Sequence, residues 1–420
     1  MKSAAQLADV APTVAEVVGL DWPQTPTARS LLRLGAEARP IYAETLYPRL
    51  HLGWSELRSV VDGRWHFVHG PRPELYDLAL DPRETQDRAA HEAAEVERLR
   101  RALEGFPQGS VRPAGVDPAV AERLAALGYV GVARDRPAGS ALPNPREMLP
   151  QLERMKEGFR LASAGRLDDA VVVLAEVVRA QPANVEAWIR LGDVLVELGR
   201  PADAARAYEA ALASGGLELP DVRAQLGHAL LRAGRLDEAE AAAARVEAPL
   251  PAKAAELRAR VALARGRLDE ARRLADEAAV GRNPQPASWL VGAEVRTRQG
   301  DHAGALARLD EARRRADAIG LGAVYNLEAL RADVLARSGR LVEAEAAYRR
   351  EVADFPGHLR AHANLAALLF AQRRRADGVA ALEAMVAANP GPRARRAAAV
   401  TLRAVGDRAG AARVEAEARR

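Results

Sequence analysis

The chain has 420 residues, of which 49% are hydrophobic, only 4% aromatic and 28% charged, with a formal net charge of +4 and a pI near 9.6. That length exceeds one ordinary core, so two or more units are expected, and apolar content carried by Ala and Leu suits close-packed helices better than β-sandwiches. The lack of cysteine excludes disulfides, thiolate metal sites and cysteine nucleophiles; interleaved charge argues against a nucleic-acid stripe, and no apolar run approaches the ~18 residues of a membrane span.

Residues 1–133 hold three of the five tryptophans, Trp22, Trp54 and Trp65. Asp9 interrupts the start before a signal-peptide-like apolar stretch can form, so as written the chain reads as cytoplasmic; a true N-terminus upstream of Met1 would instead allow export. Residues 54–60 read as a short strand. Asp62-Gly63 signals a tight hairpin of type I′, with positive φ at both central positions, and 64–68 would be the return strand. Leu75-Tyr76-Asp77-Leu78 is followed by an Asp81-Pro82-Arg83-Glu84 turn, and 89–103 is a charged amphipathic helix. The piece is therefore α+β. His66 and His69 stand three apart on the return strand, which points them to opposite faces and away from joint metal ligation with each other or His51. Pro/Gly-rich breaks follow at 107–118 and 134–150, the second being the better domain boundary.

Several segments of this piece resemble the closing part of sulfatases of the alkaline-phosphatase superfamily. Asp9-Val10-Ala11-Pro12-Thr13 with Gly19 is similar to the family's Asp-x-x-Pro-Thr segment, and Arg29-Ser30-Leu31-Leu32 to the Gly-Arg-Ser-Leu that follows it. Tyr42-Ala43-Glu44-Thr45, Arg58 with Asp62-Gly63-Arg64, the Leu75 to Glu84 stretch and Leu124 to Val130 resemble the closing strands and last helix. Asp87-Arg88 stands where the family has Asn-Leu. The resemblance implies only the family's C-terminal subdomain. Its nucleophile, a Cys or Ser in C/S-x-P-x-R, and its metal-holding Asp, Asn and His lie upstream of that part. There is no cysteine here, and Thr25-Pro26-Thr27-Ala28-Arg29 has the wrong spacing. No catalytic residue carries over, and Glu44 and Tyr47 are expected to serve packing.

Beyond residue 150 the chain repeats. Related segments begin at Gly165, Gly199, Gly234, Gly266, Gly300, Gly339 and Gly406, spaced by 34, 35, 32, 34, 39 and 67 residues. The last interval holds two units, with Arg373 near the missing glycine, so about eight copies are expected. Within one copy Trp188, Leu191, Gly192 and Leu195 recur at helical spacing. Gly192 admits a close second helix, Gly199 ends the first, and Ala204, Tyr208 and Ala211 face inward from the second. Asp168, Asp237 and Asp269 suit the dipole at second-helix starts, which is also the favoured account of Asp168-Asp169 over a metal pair. Arg393, Arg395, Arg396, Arg403, Arg408, Arg413, Arg419 and Arg420 read as the polar face of a terminal helix.

This pattern resembles the tetratricopeptide repeat, a unit of ~34 residues carrying Trp-x-x-Leu-Gly and then Ala, aromatic and Ala. The resemblance implies a mainly α protein: an α-solenoid of about eight helical hairpins over residues 151–420, joined by the 134–150 linker to a small N-terminal α+β piece. Stacked hairpins share one continuous interior, because none buries its apolar face alone. The resemblance also implies that first helices line a concave wall, where Glu186, Asp193, Glu197, Arg232, Arg260, Glu294, Arg298, Asp333 and Arg337 would face outward. Arginine-lined grooves suit carboxylates. His358 and His362 read as a surface pair without an orienting carboxylate. No phosphate-binding glycine motif occurs. The sequence reading is therefore a non-catalytic scaffold for a protein or peptide partner, without cofactor, metal or nucleic acid. The alternative is a sulfatase–repeat fusion whose catalytic half precedes Met1.

Overall fold

The computed structural model describes residues 5–23, 28–33, 39–106, 132–133, 142–214, 217–246, 250–280 and 286–418. The break at 107–118, the segment 124–130, Thr25 to Thr27 and Gly215-Gly216 lie outside the described residues.

Residues 149–418 form sixteen helices, paired as eight hairpins. They are α3 (Leu149–Ser163) with α4 (Leu167–Ala180), α5 (Val185–Glu197) with α6 (Pro201–Ser214), α7 (Pro220–Arg232) with α8 (Leu236–Val246), and α9 (Pro251–Ala264) with α10 (Leu268–Val280). They continue as α11 (Pro286–Arg298) with α12 (His302–Ala318), α13 (Leu327–Arg337) with α14 (Leu341–Asp354), α15 (Leu359–Ala371) with α16 (Arg375–Ala388), and α17 (Pro392–Ala404) with α18 (Arg408–Ala418). Each helix packs on its chain neighbour. First helices also touch the next first helix, as α7 does α9 and α9 does α11.

The turn inside every hairpin has the same physical basis. The seven repeat glycines have φ between 70° and 87°, and Arg373 supplies the eighth left-handed position at φ 61°. Each turn is closed by the same long backbone bond onto the preceding helix, for example Arg200 N to Leu195 O at 2.8 Å and Arg374 N to Leu369 O at 3.0 Å. The residue after the glycine then restrains the second helix. Arg166, Arg200, Arg235, Arg340 and Arg374 each donate to the acid three residues on (Asp169, Asp203, Glu238, Glu343 and Asp377) at 2.7 Å. Arg267 does the same to Glu270 at 3.3 Å, and in the remaining two turns Asp301 and Asp407 cap the helix through Gly304 N and Gly410 N. The acids that pair with the turn arginine are thus the ones following Asp168 and Asp237; Asp237 instead pairs with Arg265, and both stay on the exposed first turn.

The shared interior is built from small residues at fixed phase. Ala170, Ala204, Ala239, Ala271, Ala305 and Ala344 are all fully buried, five residues after each turn glycine. In the seventh copy that place is taken by Gly378, and the Phe370 ring of α15 fills the space a methyl would need. The degenerate copy therefore exchanges a large first-helix and a small second-helix residue, which conserves volume.

The N-terminal piece contains α1 (Val10–Val17), a four-stranded antiparallel sheet in chain order and α2 (Ala93–Glu104). The strands are β1 (Ile41–Thr45), β2 (Leu57–Asp62), β3 (Trp65–His69) and β4 (Glu74–Asp77). Val60, Phe67 and Leu75 stand opposite one another across β2, β3 and β4 and are fully buried against Val96, Leu99 and Leu103 of α2. This register corrects the expected hairpin. Asp62 pairs with Trp65, so the two-residue loop is Gly63-Arg64, and only Gly63 has positive φ. A shift of one residue would turn the Val60 row away from α2, so the core and not the turn dipeptide sets the register.

The sheet is docked on the solenoid. Trp54, expected in a strand, instead precedes β2 and lies buried among residues of α4 and α5, its Nε1 donating to Gln181 Oε1 at 3.0 Å. Gly53, at φ 73°, passes so close to Ala183 that a Cβ there would stand 2.6 Å from the Ala183 Cβ. Ser55 N donates to Pro143 O at 2.9 Å, and the Arg146 guanidinium donates to the Tyr76 hydroxyl at 2.6 Å and to Glu74. A short pairing of β5 (Val132–Ala133) with β6 (Leu217–Glu218) adds a further contact.

Candidate partner-binding surface

The polar side chains of the first helices divide into those consumed inside the protein and those left free. Arg260 is in the first set: its guanidinium bonds Glu256 on its own helix and stands 3.2 Å from Glu294 of α11, while His228 Nε2 of α7 lies 3.2 Å from Glu256. Three successive first helices are thereby tied together. Burial alone would raise the Glu256 carboxyl, but Arg260 and then His228 reverse that and bring it down to about 2. Asp193 accepts the Tyr208 hydroxyl at 2.8 Å, and burial lifts its carboxyl above the ordinary range. Asp333 likewise accepts from Tyr348 and from Asn364 Nδ2 at 3.1 Å. Glu186 accepts the Tyr47 hydroxyl and so faces the N-terminal piece.

The second set is Glu197, Arg232, Arg298 and Arg337. Each is the last residue of its first helix, α5, α7, α11 and α13, and each is exposed. The recurrence places them along one edge of the first-helix wall, and the three arginines sit where a helix C-terminus favours positive charge. Among the described residues none of the four has a hydrogen bond or ion pair.

Sequence reasoning did not single out Tyr325, and it placed Arg393 on the polar face of a terminal helix. Tyr325 is 58% exposed and belongs to the connection between α12 and α13, which lengthens the interval from Gly300 to Gly339 to 39 residues. Arg393 opens α17, yet a Cβ on Gly199 would stand 3.7 Å from its guanidinium. Five hairpins lie between Gly199 and Arg393, an offset of six layers, and a straight stack at ~10 Å per layer would hold them ~60 Å apart. The stack therefore curves back until its eighth hairpin meets its second.

His358 and His362 are not a surface pair. They are 5% and 4% exposed, and His358 Nδ1 stands 2.8 Å from Glu351. The orienting carboxylate comes from the preceding second helix across the turn. Glu351 also accepts backbone N–H bonds from Asn326, Glu328 and Ala329 at 2.7, 3.1 and 3.2 Å, capping α13. His66 bonds Glu84 at 2.9 Å, and among the described residues no three of His, Asp and Glu converge as metal ligands. No helix of the described residues is long and apolar enough to cross a membrane. A hollow of about 300 Å³ between α12, α13 and α14 is lined by charges already paired, Arg331 with Asp310 at 2.7 Å and Arg350 with Glu328 at 2.9 Å.

The tetratricopeptide repeat model matches residues 156–222, 224–287 and 290–358. No curated protein matches the chain. Among solved structures the chain is similar to a thermophilic tetratricopeptide-repeat protein of Thermus thermophilus, at 22% identity over 44% of this chain and 99% of that one, with a TM-score of 0.39. It is also similar to a tetratricopeptide-repeat protein of Parabacteroides merdae, at 15% identity over 56% and 92%, with a TM-score of 0.36. A third is the Pseudomonas aeruginosa protein pilF, at 19% identity over 50% and 93%, with a TM-score of 0.34.

Proposed function

We propose that the chain, whose residues 149–418 form stacked helical hairpins and whose residues 156–222, 224–287 and 290–358 match the tetratricopeptide repeat model, is a non-catalytic scaffold that binds a peptide or protein partner on its first-helix wall. The observation that carries this reading is the split of polar groups described above. Those deeper in the wall satisfy one another, whereas Glu197, Arg232, Arg298 and Arg337 recur unpartnered along one edge. Fixed, regularly spaced side chains on rigid helices suit recognition of an extended ligand. A photo-crosslinking amino acid placed at Glu197, Arg298 or Arg337 is expected to capture a partner protein in cells. The same group at Val172 or Val342, exposed on second helices, is expected to capture none. Equal or exclusive capture from the second-helix positions would overturn the reading.

We propose, second, that residues 1–133 are a sulfatase-like C-terminal subdomain. The two motifs that carry the resemblance bond to each other: Arg29 N donates to Asp9 Oδ1 at 2.9 Å and Leu31 N to Thr13 Oγ1 at 2.8 Å. The antiparallel sheet covered by α2 supports the same reading. The fusion alternative predicts C/S-x-P-x-R and paired metal-binding aspartates in frame upstream of Met1; a different coding sequence there would remove it. Turnover of an aryl sulfate by the purified chain with divalent metal would overturn the non-catalytic assignment.

A further inference from the structure

We infer that the binding wall carries an anion site for an acidic stretch of a partner protein, where Arg393 of the last hairpin meets Arg232 beside the exposed ring of Tyr325. The inference rests on the scaffold reading and names the chemistry of its ligand. Curvature of the stack makes the site: Arg393 lies against the α5–α6 turn at Gly199, in a place that neither end of the solenoid forms alone. Tyr325 lies tilted by 31° on His358 with ring centres 4.5 Å apart and meets Phe355 edge-on at 5.3 Å, so part of its ring is held and the rest is open. Arg360 reaches the same rim through Asn326, at 3.2 Å.

The balance of charge there is positive, with Arg232, Arg393 and Arg396 set against Glu197. Among the described residues Arg232, Arg393 and Arg396 have no ion pair. Of the nearby acids, Glu351 is consumed by His358 and three backbone N–H groups, and Asp333 by Tyr348, Asn364 and Arg360 at 3.7 Å. Only Glu197 remains. Burial and then Arg232 push the Arg393 guanidinium below its ordinary range, and Tyr325 and Glu197 offset this only in part. A carboxylate bridging the two guanidiniums removes that repulsion through charge-assisted hydrogen bonds, and an aliphatic or aromatic neighbour in the ligand covers the Tyr325 ring. Glu197 favours an acidic peptide over nucleic acid. Continuous phosphates would run into the unpaired Glu197 carboxylate, whereas a peptide places its carboxylates selectively and offers amide N–H groups to Glu197.

The test is fluorescence anisotropy on the full chain with a labelled twelve-residue peptide of alternating Glu and Ala. A Gln-for-Glu version and a labelled thymidine dodecamer serve as comparisons. The Glu peptide is expected to bind about tenfold or more tighter than the Gln peptide and tighter than the oligonucleotide. Arg232→Gln and Arg393→Gln should each weaken it about tenfold. Arg179→Gln, the same charge change on an exposed second-helix position of α4, should leave it unchanged. Both site arginines are exposed, so thermal melts by circular dichroism should match the parent; Arg393→Lys, which keeps the charge, should retain most of the binding. The inference is overturned by failure of the Glu peptide to bind, by equal binding of the Gln peptide, by an equal loss in Arg179→Gln, or by tighter binding of the oligonucleotide. Crosslinking from the first-helix edge can still succeed in any of those cases, so the broader scaffold reading fails or stands separately.

Discussion

Replacing Gly192 by Ala tests how the hairpins are held together. An ideal Cβ on Gly192 would lie 2.5 Å from Tyr208 Cε1 and 2.8 Å from Cδ1 and Cζ. Carbon atoms in ordinary contact stand ~3.5–4.0 Å apart, so the ring must retreat by about 1 Å. Tyr208 has little room to do so: it is 2% exposed, and its hydroxyl is anchored on Asp193 at 2.8 Å. Overpacking of this kind costs ~1–3 kcal/mol and a strained hydroxyl bond a further ~1 kcal/mol, while Ala regains about 1 kcal/mol of helix propensity over Gly. The expected net effect is destabilisation by about 1–3 kcal/mol. Gly292 is the control, for it is also a buried mid-helix glycine, but a Cβ there meets only Arg296 Nη1 at 3.6 Å and Ala275 Cβ at 3.9 Å. Gly292→Ala should therefore stabilise by ~0.5–1 kcal/mol. Urea melts by circular dichroism report the sign, and amide exchange localises it, because a repeat array need not unfold as one unit. Shifts of the same sign in both variants would refute the close-approach argument.

Arg373→Gly should raise stability by about 0.5–1 kcal/mol, since relief of a left-handed non-glycine residue exceeds the entropy that Gly adds to the unfolded chain; a lower melting temperature would count against it. Trp54→Ala removes a buried ring and orphans Gln181, costing about 3–5 kcal/mol at the junction, and limited proteolysis should then release the N-terminal sheet far faster than from the parent. The Glu256 carboxyl, lowered from 4.5 to about 2 in the fold, contributes about 3 kcal/mol that is fully present above pH 4.5 and lost as pH falls toward 2. A Glu256→Gln variant should be less stable at neutral pH and lack that component of the acid transition; an unchanged acid profile would show the pair is not coupled to folding.

Much of the solenoid was legible in local chemistry. The turn glycines, the buried alanines five residues later and the Gly192–Tyr208 approach follow from short-range rules, because each hairpin bonds chiefly within itself and to its neighbours. Arg373 was found at the expected turn although it is not glycine, since the 34-residue phase alone located it. Three features were not legible. The hairpin register at Asp62 depended on α2, about thirty residues away. The carboxylate for His358 arrived from another helix. Arg260 looked like a groove residue on its own helix and became internal only when Glu294 of the next first helix was placed beside it.

The amino-acid pattern by itself determined that hairpins form, where each turns and which faces are apolar, because backbone sterics and helical period act over a few residues. Tertiary structure alone decided which charges remain free and that Arg393 returns to Gly199. Curvature accumulates from small rotations at every hairpin interface, and no single repeat encodes its sum.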